Sequence, residues 1–98
     1  MKNTLTFDAI VDTISSHTNT FYKLGIDHVG VLKEKMCDDS DIEIFSMLNY
    51  EHPISDYYKF QRLVEDLFPG YEVEFIADKD IPFTRLWNVI SDVQFCQV

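Results

Sequence analysis

The chain has 98 residues, with 17 acidic side chains against 8 basic ones and a formal charge of −9. That length predicts one globular domain, residues 1–98, because two halves would each be too small to bury a core. A hydrophobic share of 46% and an aromatic share of 14% exclude a disordered acidic tail. The negative charge argues against direct binding of nucleic acid or of an anionic membrane, and for a basic protein partner.

In chain order, Phe7, Ile10, Val11 and Ile14, then Phe21 and Leu24, fall at helical spacing, with Thr6 as N-cap and Gly25 as the stop. The polar run Ser15–Thr20 is poor helix material and predicts a break. A short helix from about His28 to Met36, capped by Asp27, would bury Val29, Leu32 and Met36. Ser40 with Glu43 has capping-box spacing, and Ile42, Phe45 and Leu48 make a helical face. The rival is a strand, because Ile42 and Ile44 alternate with Asp41 and Glu43; helix is the preferred reading. A clearer helix runs from about Ser55 to Phe68, with Tyr57, Phe60, Val64 and Leu67 inward and Pro69-Gly70 ending it. Tyr71–Ile76 alternates apolar and acidic residues and predicts a strand. Asp78–Asp80 reads as a turn. A last helix from Pro82 or Thr84 to Val93 would bury Phe83, Leu86, Ile90 and Val93, with Trp87 beside that face. The fold class expected is therefore mainly α, with four to five short helices and one strand near 71–76, a small α+β domain being the variant. A lone strand needs a partner, which leaves the 42–45 alternative open.

The start of the chain, Met1–Leu5, shows no signal-peptide pattern, so a cytoplasmic protein is expected, with Cys37 and Cys96 reduced. The charge is unevenly spread. Residues 1–37 and 81–98 are each neutral, whereas residues 38–80 hold twelve acids against three bases. Such segregation costs stability through self-repulsion, which points toward a cationic partner. Tyr50, Tyr57, Tyr58 and Tyr71 lie among these acids, and tyrosine is enriched in binding hot spots.

Motifs that name a reaction are missing. His17, His28 and His52 show no zinc spacing, and HExxH, CxxC and GxSxG are absent. The run Asp38–Glu43 lacks the glycine and closing glutamate of a calcium loop. Gly25 and Gly30 are isolated, so there is no glycine-rich phosphate loop. No catalytic residue, metal or cofactor is expected, and the chain reads as a non-enzyme.

Asp39-Ser40 opening an acidic segment, together with Leu67–Gly70 and Thr84–Ile90, partly resembles acyl carrier proteins. The resemblance implies a phosphopantetheine group on Ser40. It departs from that family in having Asp41 where leucine is usual and in the additional stretch 50–62.

The leading functional expectation is a small acidic inhibitor, most naturally a bacterial immunity protein that neutralises a cationic toxin such as a nuclease. A phage-encoded DNA mimic obeys the same physics. The negative patch serves the on-rate and the aromatic anchors serve the off-rate. The residues expected to meet the partner are Asp38, Asp39, Asp41, Glu43, Tyr50, Glu51, Tyr58, Glu72 and Glu74.

Overall fold

A computed structural model describes residues 5–34 and 39–96. It contains helices α1 (Phe7–Ser15), α2 (Thr18–Lys23), α3 (Ile54–Leu67) and α4 (Phe83–Ser91), and strands β1 (Ile26–Leu32), β2 (Ile42–Leu48), β3 (Val73–Ala77) and β4 (Val93–Phe95). The strands form one mixed sheet in the order β3-β2-β1-β4. β1 runs antiparallel to β2 and β4, and β2 runs parallel to β3. A parallel pair needs a crossover, and α3 supplies it. Among the described residues no helix is long and apolar enough to cross a membrane.

The expectation of a mainly helical domain with one strand is thus corrected: the fold is α+β, built on four strands. The spacing of Val29, Leu32 and Met36 predicts a helix over 28–36, of which residues 35 and 36 lie outside the described ones. Residues 26–32 are instead a strand, because Ile26, Val29 and Val31 are β-branched and both faces of β1 are covered, which hides the period of two. Gly30 also has a sheet role: a Cβ there would run into Val93 Cγ1 and approach the Gln94 carbonyl oxygen to 2.8 Å. The segment 42–48 adopts the strand alternative, so Ile42 and Ile44 share one face while Glu43 and Phe45 share the other. β4 carries no alternation long enough to read in three residues.

Three helical features stand as the pattern predicts. Thr6 Oγ1 accepts the Ala9 N–H at 3.1 Å and caps α1. The chain breaks at Ser16-His17 before α2, and Gly25 ends α2 with φ +86°. α3 buries Tyr57, Phe60 and Val64.

The sheet has a core on each side. On one side Ile10, Ile14, Phe21, Ile44, Phe60 and Val64 pack together, with Val73 and Phe75 at the margin. On the other, Leu32, Phe45, Val89 and Val93 pack with Ile76, Leu86 and Ile90. Each fully buried large side chain contributes about 1.5–3 kcal/mol, so the larger core anchors the sheet and α4 adds a lighter cover.

Candidate functional site

Most of the described acids of residues 39–80 lie toward one or other end of β2, whose ends are roughly 20 Å apart at ~3.3 Å per residue. At the N-terminal end, Asp41 and Glu43 lie two residues apart on the face that carries Phe45. On parallel β3, Glu72 and Glu74 share the face that carries Ile76. Register pairs Glu43 with Glu74 directly. The Asp41 N–H donates to the Glu72 carbonyl at 2.8 Å, and the Glu72 N–H donates to Asp41 Oδ2 at 2.8 Å. This exchange fixes the direction of the Asp41 carboxylate. Asp41, Glu72 and Glu74 are exposed, while Glu43 is 2% exposed.

At the C-terminal end the chain turns through Asn49–His52 into α3. Tyr50 and Tyr58 are 67% and 61% exposed, and Glu51 and Ile54 are exposed beside them. The Tyr50 hydroxyl donates to Asp78 Oδ1 at 3.3 Å. Burial, then the charge and hydrogen bond of Asp78 and the charge of Asp80, push the Tyr50 phenol above its ordinary value. Burial pushes Tyr57 up as well, reinforced by the charges of Asp80 and Asp78. Gln61 and Ser46 oppose this from beside its hydroxyl, although Ser46 Oγ makes no bond of full hydrogen-bond geometry.

The residues expected to meet a partner are therefore not one patch. Asp39, Asp41, Glu72 and Glu74 lie toward one end, and Tyr50, Glu51 and Tyr58 at the other. Asp38 lies outside the described residues, as does Cys37. Glu43 is corrected as a contact residue, because its side chain is covered and offers no surface to a macromolecule. The prosthetic-group reading of Ser40 is corrected too: Ser40 is buried and precedes a strand, whereas a carrier serine opens a helix and stands exposed. Phe83 and Trp87, expected inside, are 77% and 68% exposed. α4 covers the sheet with Leu86, Val89 and Ile90, and the i, i+4 pair Phe83–Trp87 lies on its flank. The sequence reading missed Asp78, which accepts from Lys79 N–H at 3.0 Å as well as from Tyr50. It also missed His52, whose Nδ1 lies 3.1 Å from Asp56 Oδ2. The i, i+4 spacing of His52 and Asp56 at a helix start was the available signal.

No family model and no curated protein matches the chain. Among solved structures it is similar to one named "putative minimal nucleotidyltransferase", with a TM-score of 0.64 and 14% identity over 86% of this chain and 93% of that one. The likeness is one of fold. It is the finding that overturns the expectation of a non-enzyme, which rested on the absence of recognisable catalytic motifs.

Carboxylates that face one another are hard oxygen donors of the kind a divalent cation takes. Among the described residues no three His, Cys, Asp or Glu side chains stand close enough to enclose an ion, and Asp41 Oδ2 is engaged by Glu72 N–H. Magnesium, however, is commonly held by one or two carboxylates with substrate phosphates completing its shell. Hard oxygen donors on Glu43 and Glu74, facing each other in register, suit that arrangement.

Proposed function

We propose that the protein is a divalent-cation-dependent nucleotidyl-transfer domain in which Glu43 and Glu74 would hold the cation, with Asp41 beside them on the same face. The single observation that carries this reading is the register of Glu43 with Glu74 on parallel strands, with Asp41 on the same face. It gains support from the similarity of fold to a protein named for that reaction. Asp41, oriented by the Glu72 N–H, presents its remaining oxygen from a fixed direction. Glu43 sits where water is largely excluded, so its charge acts through a lower dielectric. Held there, a divalent cation supplies neutralisation of phosphate charge. A cytoplasmic setting goes with the reading, because nucleoside triphosphates are held there.

The test is a Mn²⁺ titration followed by NMR, with a non-hydrolysable nucleoside triphosphate analogue present. Amide broadening is expected around residues 40–44 and 73–75, and Glu43→Gln with Glu74→Gln should abolish it. With an α-phosphate-labelled nucleoside triphosphate, the labelled nucleotidyl group should pass to an acceptor hydroxyl, with release of pyrophosphate, in the native chain and not in that variant. Broadening centred on residues 78–80, or unaffected by the two substitutions, refutes the reading.

A second reading keeps the inhibitor of a cationic toxin, now on this α+β fold. The exposed Tyr50, Ile54 and Tyr58 beside Glu51 favour it, since aromatic anchors next to carboxylates suit a basic protein surface.

A further inference from the structure

At the C-terminal end of β2 the chain encloses an open cavity of about 210 Å³. Its apolar lining includes Ile26, Leu48, Ile54 and Tyr57, and Tyr50 stands at its side. The base is rigid. Gly25 holds a positive φ that favours glycine, and the His52 ring covers it so closely that a Cβ there would lie 2.6 Å from His52 Cγ. The Asn49 N–H donates to the Gly25 carbonyl at 2.7 Å, which ties the turn to the end of α2. A volume below the roughly 300–1,000 Å³ of ligand pockets suits a single side chain rather than a cofactor.

The charges around it decide which side chain. Asp78 bonds to Tyr50 on the cavity wall, Asp56 bonds to His52, and Asp80 and Glu51 lie close in sequence to these. Against four carboxylates stand two ammonium groups: Lys59, which is 3.8 Å from Asp56, and Lys79, which lines the cavity. The surroundings are net negative, and the phenol rings of Tyr50 and Tyr57 offer faces that attract cations.

We infer that this cavity is a docking socket for one lysine or arginine side chain of a basic polypeptide, with its aliphatic stem against Ile54 and Tyr57 and its charge facing Asp78 and the ring of Tyr50. Long basic side chains bury their stems on apolar surface while their heads stay near charge and water, which is what this lining provides. Tyr58, exposed on the first turns of α3, extends the contact to neighbouring residues of the same polypeptide. The socket lies at the other end of β2 from Asp41 and Glu43, so it stands whether the basic chain is a substrate of the transfer reaction or a toxin being neutralised.

The experiment titrates the ¹⁵N-labelled protein with capped tetra-arginine and tetralysine, using capped tetra-aspartate as control. Shifts are expected at Gly25, at residues 48–52 and at Lys79. Tyr50→Ala with Ile54→Ala, both at exposed positions, should weaken binding about fivefold. Glu65→Gln with Asp66→Asn, at exposed positions near the far end of α3, should change it less than about twofold, because exposed charges beyond a Debye length are screened. Shifts centred on residues 72–74, or equal affinity of the Tyr50/Ile54 variant and the native chain, overturn the socket. Neither pair of substitutions used to test the socket touches Asp41, Glu43 or Glu74, so failure here and failure of the transfer assay are separable.

Discussion

Gly30→Ala tests the packing that holds α4 and β4 on the sheet. Gly30 pairs with Phe95, and β4 is tied to β1 by only two further pairs, Val31 with Gln94 and Leu32 with Val93. A Cβ at position 30 would overlap Val93 Cγ1 and lie 2.8 Å from the Gln94 carbonyl oxygen and 3.2 Å from its carbon. One obstacle is a stiff β-branched side chain and the other is backbone, so neither yields by a rotamer change. Overpacking of this kind costs about 1–3 kcal/mol. For a domain of this size each kcal/mol lowers Tm by about 4–8 °C, so the loss should be plain in thermal unfolding followed by circular dichroism. Val93→Ala alone should cost about 1–2 kcal/mol for two buried methyl groups. The double variant removes one of the two overlaps and should lose less than the sum of the single losses. A Gly30→Ala protein with unchanged Tm, or strictly additive losses, would show that β4 does not sit against β1 as described.

Two further outcomes follow from buried titratable groups. Because burial raises the Tyr57 phenol above its ordinary value near 10, the native state keeps a proton that the unfolded chain loses. The contribution is complete below about pH 10 and is lost as pH rises through the folded-state value; Tyr57→Phe should flatten that alkaline fall in urea midpoints, and an unchanged slope would contradict it. Cys96 is buried and its thiol is pushed up by burial, with a hydrogen bond to Ser15 pulling weakly the other way; iodoacetamide at pH 8 should leave Cys96 unmodified by peptide mass mapping until denaturant is added, and native labelling at the denatured rate would refute its burial.

By itself the sequence determined the parts that local physics controls. Thr6 capping α1, the break at Ser16-His17, the stop at Gly25 and the inward stripe Tyr57, Phe60 and Val64 of α3 all depend on neighbours within one or two turns. The alternation of Tyr71–Ile76 marked β3 because its acidic residues remain exposed. β1 was not legible in that way, and β2 only as a rival reading from Ile42 and Ile44 alternating with Asp41 and Glu43, since α1, α2 and α3 cover one side and α4 the other; a strand buried on both faces loses its period of two. Trp87 and Phe83 showed the reverse error: apolar type predicts burial, but a short helix lying on a sheet covers only one stripe. The location of the acids in residues 38–80 was readable as a count. Its division into two sites was not, because it depends on which strand ends meet. Register between β2 and β3, strands separated in sequence by α3, sets Glu43 opposite Glu74, and the end of β3 meeting the turn into α3 brings Asp78 to Tyr50 beside a cavity that Tyr50 and His52 line.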